Sequence, residues 1–356
     1  MKTKNILIFL SWLQLFAKLT VGEYAVVIDP VVDGYGAPSV FKEEDIASPL
    51  LGDCQRLHQL LFNEVIKIKD LKKFHAQVEC GSFFYSSIHG EEQNSLWINK
   101  KKIIAIKDLS KKALKAIPIS LNISKFIIPN NLLNKLESNS LILKKPFKQY
   151  STGTRFAIKK ETENFYKVEL IVKNNILRTI NIPKKYFQEK LLDSEKRENF
   201  VKIIEDLANQ KIPITYVWGG TSFIKEKNKN KNKLPLIGLD CSGLILRVAQ
   251  IVGIPYFYKN SLTASAYLEQ ITNYKDIQKG DIIWVTGHVI IITDPINNLC
   301  AEANGYYKCL HQLKIDQIFE GIHSFKQLLE QEQLLRIRPD NKNKLIKDFK
   351  ILKLPI

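Results

Sequence analysis

Residues 280–305, GDIIWVTGHVIIITDPINNLCAEANG, constrain the fold more than any other stretch of the chain. Three apolar runs are separated by a Thr-Gly pair and an Asp-Pro pair, which predicts strand, tight turn, strand, turn, strand: an antiparallel meander. Upstream, 238–254 reads GLDCSGLILRVAQIVGI. Asp240 is a favoured N-cap residue, Gly253 stands where a left-handed C-cap belongs, and Pro255 follows as a stop. The spacing predicts a helix over 241–252. A helix packed on an antiparallel sheet makes this end of the chain α+β.

Cys241 falls in the first turn of that helix. Free first-turn amides and the positive end of the helix dipole favour a thiolate there, and the same amides can hold an oxyanion. A thiolate also needs a base, and the base needs an orienting partner. His288 opens the apolar strand HVIIIT. Folding the meander about 294–298 sets 288 opposite roughly 302–304, so Glu302 and Asn304 share its strand face, and either can hold the imidazole. On pattern alone, a catalytic Cys241–His288 pair and a structural cysteine beside a core histidine both remain open.

The rest of the chain is organised differently. Residues 23–110 carry short strand-like runs between turn residues, as do 138–187, and each block predicts a small barrel. Residues 111–137 are more helical and serve as a connector. Residues 188–212 place Phe200, Ile203, Ile204 and Leu207 at helical spacing and predict a helix leading into the last domain. The N-terminus has Lys2 and Lys4 before an apolar run from Ile6 to Ala17 and a small-residue zone ending near Gly22. That is the layout of a signal peptide over 1–22, and the run is short of the roughly 20 residues of a permanent span. A mature chain outside the cytoplasm, without stable membrane insertion, is expected.

The five cysteines show no zinc spacing, and in an exported chain they permit two disulfides and one free thiol. The net charge of +17 arises from lysines scattered along the chain, as in KEKNKNKNK at 225–233. No recognition motif accompanies it, so nucleic acid is not an expected partner, although anionic cell-surface polymers are attracted in general.

YVWGG at 216–220, LDCSGLILRV at 239–248, IQKGDIIWV at 277–285 and GHVIII at 287–292 occur in this order. Together they resemble the NlpC/P60 family of papain-like cysteine peptidases, whose marks are a Tyr-x-x-Gly-Gly loop, D-C-S-G, G-D and H-V. The resemblance covers about 213–335 and leaves 336–356 as a C-terminal tail. It implies Cys241 as nucleophile, His288 as base and Glu302 as third residue. The family usually has a histidine at that last position, and Asn304 stays open beside Glu302. The resemblance also implies that Asp240 and Ser242 hold a substrate's free amine and that Tyr216, with Trp218 nearby, lines the cleft.

The two N-terminal blocks resemble bacterial SH3-like barrels, the first of which leans over the cleft in relatives. Tyr85 or Glu64 would then close the amine end, but no motif fixes either. The resemblance implies a monomeric cell-wall hydrolase, periplasmic or wall-associated, that needs no metal or organic cofactor. It would cut the γ-D-glutamyl–diamino acid bond of peptidoglycan stem peptides. The rival readings are an amidase or acyltransferase using the same residues, and a muropeptide-binding protein that does not cut.

Overall fold

The computed structural model describes residues 19–38, 56–86, 91–118, 140–172, 176–223 and 237–356. The apolar N-terminal run, Cys54, most of the 111–137 connector and the Lys/Asn stretch at 225–233 lie outside the described residues. Among the described residues no helix is long and apolar enough to cross a membrane.

The meander forms as its turn residues predict. Strand Ile282–Val285 pairs with His288–Asp294 through a hairpin whose Gly287 has φ 84°. The next strand, Leu299–Asn304, returns with Ile291 opposite Ala301 and Ile292 opposite Cys300. Cys309–Lys314 adds a further strand with Glu302 directly opposite His311.

The sheet has six strands, in the order Gln270–Ile271, Phe349–Leu352, Ile282–Val285, His288–Asp294, Leu299–Asn304, Cys309–Lys314. Residues 336–356 are therefore not a tail. Phe349–Leu352 lies inside the sheet, paired on one side with Gln270–Ile271 and on the other with Ile282–Val285.

Both faces of this sheet are covered, which explains why HVIIIT is apolar throughout rather than alternating. Val289 and Ile291 join a core with Leu244 and Val248 of the helix Cys241–Val252. Ile290 and Ile292 point the other way, into a second core with Phe319, Phe325 and Leu328 from the short helical segments after residue 314. Each such aliphatic side chain, fully buried, contributes about 1.5–3 kcal/mol.

The helix expected over 188–212 spans Asp193–Ala208 and buries Phe200, Val201, Ile204 and Leu207, while Ile203 is half-buried. It packs into the same core as the helix Cys241–Val252, so it belongs to this layer and is not a linker. Its Arg197 donates to Asp281 Oδ1 at 2.9 Å, and the Leu354 amide donates to the same oxygen at 3.1 Å. The aspartate of the G-D pair thereby ties together the helix, the meander and the chain end.

The first block forms a seven-stranded antiparallel sheet, in the order Arg56–Leu61, Val31–Tyr35, Ser95–Asn99, His75–Cys80, Val65–Leu71, Tyr24–Val27, Ile103–Ala105. The second block forms a five-stranded one: Ile176–Pro183, Phe165–Val172, Arg155–Glu161, Ser140–Leu143, Phe187–Gln188.

The seven-stranded sheet is not tethered loosely. Its buried residues run into the same core as the helix Cys241–Val252. Gln59 reaches Thr221 and Ser222, Phe84 exchanges backbone hydrogen bonds with Phe257 and Lys259, and Arg56 Nε donates to the Trp218 carbonyl at 2.7 Å. Arg247, 2% exposed, is the buried hub. It donates to the carbonyls of Gln59 and Thr221 and pairs with Glu64 at 3.1 Å.

Candidate active site

Asp240 caps the helix as its residue type predicts. Its backbone is extended, and Oδ1 accepts from the Gly243 amide at 2.5 Å. Gly253 closes the other end with φ 78°. Cys241 is thus the first residue of the helix, 8% exposed.

The glycines of the two motifs have one physical cause. The loop at 216–220 is strapped to the residues before Cys241: Val217 donates to the Leu239 carbonyl and Asp240 to the Gly220 carbonyl. A Cβ on Gly243 would meet the Gly220 oxygen at 2.1 Å, and one on Gly220 would meet the Gly238 oxygen at 2.5 Å. Only glycines allow the loop to pass this close to the helix start.

Tyr216 and Trp218 are both half-buried on that loop. The backbone of Tyr216 bonds to Lys308 and the carbonyl of Trp218 to Arg56, so both sheets clamp the loop.

His288 is the first residue of its strand, opposite Val285. Its Nε2 lies 2.6 Å from Glu302 Oε2. With an ionised carboxylate as acceptor, Nε2 carries the proton, and Nδ1 is left to exchange one with Cys241. Burial alone would lower the imidazole pKa. Its interactions with Cys241, by charge and by hydrogen bond, and with Glu302 outweigh that and lift it to about 9. The arrangement therefore favours a protonated imidazole beside the Cys241 sulfur.

Glu302 is fully buried. Besides His288 it accepts from Arg336 Nη2 at 2.5 and 2.7 Å, from His311 Nε2 at 3.1 Å and from Asn304 Nδ2 at 3.2 Å. Burial pushes its pKa up, but the Arg336 charge and the two imidazoles hold it well below the usual carboxylate range. Of the two residues the sequence left open, Glu302 contacts His288. Asn304 supports Glu302 with its amide and accepts from the Tyr306 amide with its oxygen.

The sequence sets His311 aside, as unable to replace Glu302 or Asn304 without a different strand register; the hairpin about 306–307 places it opposite Glu302, as a further donor to that carboxylate. Two participants have no signal in the sequence. Arg336 ends the strand Leu334–Arg336, at the very start of the supposed tail, and no pattern marks it. Lys259, which lies beside Asp240, is the second. Its Nζ donates to Asp240 Oδ2 at 2.8 Å, and both residues are buried. Ser242 Oγ donates to the Lys259 carbonyl and lies 3.0 Å from Asp240 Oδ1.

Glu64 and Tyr85 are likewise committed, Glu64 to Arg247 and Tyr85, through its hydroxyl, to Gln93. The four described cysteines, Cys80, Cys241, Cys300 and Cys309, are all free thiols.

No family model matches the chain and no curated protein matches it. Among solved structures, it is similar to an NlpC/P60 family protein from Bacillus cereus at 14% identity, covering 82% of this chain and 94% of that one with a TM-score of 0.55. An NlpC/P60 endopeptidase from Photobacterium damselae subsp. piscicida matches at 12% identity over 94% of this chain and 73% of that one, with a TM-score of 0.48. The fold is that of an NlpC/P60 protein, in agreement with the order of motifs in the sequence.

Proposed function

We propose that this protein is a cysteine endopeptidase of the NlpC/P60 kind that hydrolyses the γ-D-glutamyl–diamino acid bond of peptidoglycan stem peptides. The observation that carries the reading is the line of groups from Cys241 at a helix start through His288 to the buried, ionised Glu302. A binding protein has no use for a nucleophile held beside a raised-pKa imidazole, whereas thiol acyl transfer requires both.

In this reading the Cys241 thiolate attacks the γ-glutamyl carbonyl carbon. Amides at the helix start stabilise the oxyanion, and the His288 imidazolium protonates the departing amine. His288 then takes a proton from water, whose oxygen attacks the thioester and returns Cys241. Glu302 keeps Nε2 protonated and the ring in place. Tyr216 and Trp218 line the cleft, and the two N-terminal sheets act as bacterial SH3-like modules. The monomeric chain works outside the cytoplasm, in the periplasm or at the wall.

Mass spectrometry of the protein incubated with stem tripeptides ending in meso-diaminopimelate tests this. Release of the dipeptide by the intact protein and not by Cys241→Ala supports the reading; hydrolysis of no stem peptide overturns it.

A further inference from the structure

The residues flanking the nucleophile also bear on what the amino end of the substrate can be. A carboxylate beside a cleft selects an ammonium only when its charge is uncompensated. Asp240 is compensated from within: Oδ1 accepts from the Gly243 amide and Oδ2 from Lys259 Nζ at 2.8 Å. Ser242 is spent on Asp240 and the Lys259 carbonyl. Asp240, Ser242 and Lys259 are 7%, 5% and 4% exposed, so none of these groups is held open to solvent. The other acid considered for this end, Glu64, is paired with Arg247. The phenol of Tyr256, buried and without a protein partner at its hydroxyl, adds a neutral group near Asp240 and Cys241.

A substrate ammonium brought to Asp240 would meet a carboxylate already neutralised and would stand next to a second buried cation. Like charges in a poorly hydrated site repel strongly. An amide N–H carries no such penalty.

On the endopeptidase reading, we propose that Lys259 is a specificity residue. By neutralising Asp240 it fits the subsite to stem peptides whose amino end is already acylated, as in intact wall, where the stem is amide-linked to the glycan. Free-amine stem fragments are then not the preferred substrates.

The test compares kcat/KM of the whole protein on L-Ala-γ-D-Glu-meso-diaminopimelate and on its N-acetyl form, with Lys259→Met alongside. The expected result is that the N-acetyl peptide is cut at least as fast as the free one. In Lys259→Met, where Asp240 is left without its cation, the ratio shifts about tenfold or more toward the free amine. The comparison within the unaltered protein stands even if Lys259→Met fails to fold. Cleavage of the free-amine peptide alone leaves the endopeptidase reading in place and overturns the inference. Cleavage of neither overturns the reading, and the inference falls with it.

Discussion

Glu302 Oε2 lies 2.6 Å from His288 Nε2, while the same carboxylate is clasped by Arg336 at 2.5 and 2.7 Å. The arginine keeps the carboxylate ionised in a dry site, and the ionised carboxylate helps keep the imidazole protonated. The working acid is the imidazolium, so activity falls as pH rises through its pKa. An alkaline limb near pH 9 is expected in kcat/KM. In Glu302→Gln the negative charge is gone. The limb should move down from about 9, with the Cys241 contribution still in place, and kcat/KM should fall by about a hundredfold or more. A limb that stays near 9 in the variant would mean that Glu302 does not tune His288.

Thiol reactivity offers a check that needs no substrate. Burial pushes the Cys80 thiol up to about 12 and Cys300 well above the ordinary range, and it raises half-buried Cys309. Cys241 alone among these faces a protonated imidazole. Iodoacetamide at neutral pH, followed by peptide mapping, should label Cys241 at least about tenfold faster than the other three, and His288→Ala should remove most of that advantage. Labelling spread evenly over the four would contradict activation of Cys241 by His288.

Gly243→Ala tests the contact between the two glycine motifs. The added methyl would sit 2.1 Å from the Gly220 carbonyl oxygen, a backbone atom held in its own hydrogen bond to Asp240. The loop must move or the helix start must. Overpacking of this kind costs about 1–3 kcal/mol, which urea unfolding would resolve. Because the loop carries Tyr216 and Trp218, kcat/KM should fall by more than the stability loss explains. Unchanged stability would show that the loop can yield freely.

The meander and the capped helix were legible because each rests on local chemistry: turn residues, caps and strand alternation. Pattern alone leaves the pairing of Cys241 with His288 open, and the order of the motifs supplies it. Glu302 was legible too, as one of two residues, since a single hairpin register places it. What escaped lies at long sequence separation. Arg336 reaches Glu302 from 34 residues away. Lys259 meets Asp240 by doubling back along the helix, and nothing in YFYKNS announces an ion pair. The supposed tail was misread for a related reason. FKIL is too short and too bordered by lysine to signal a central strand, and its place is fixed only by partners on either side.

That tail supports the strongest stability prediction. Asp281, 1% exposed, binds Arg197 and accepts from the Leu354 and Gln278 amides. Asp281→Ala leaves a half-buried guanidinium without its anion and frees the chain end, a loss of about 3 kcal/mol or more by chemical denaturation. Deleting 349–356 goes further. It removes a strand hydrogen-bonded on both edges and strips Ile351, Leu352 and Leu354, each 1% exposed or less, from two cores. The site depends on the same sheet, because His288 lies on the strand next to Ile282–Val285, whose other edge would then be bare. The truncated protein should lose its cooperative unfolding transition and, with it, the fast alkylation of Cys241. A truncated chain that still unfolds cooperatively and labels fast would mean that the strand is an addition to the site's scaffold and not part of it.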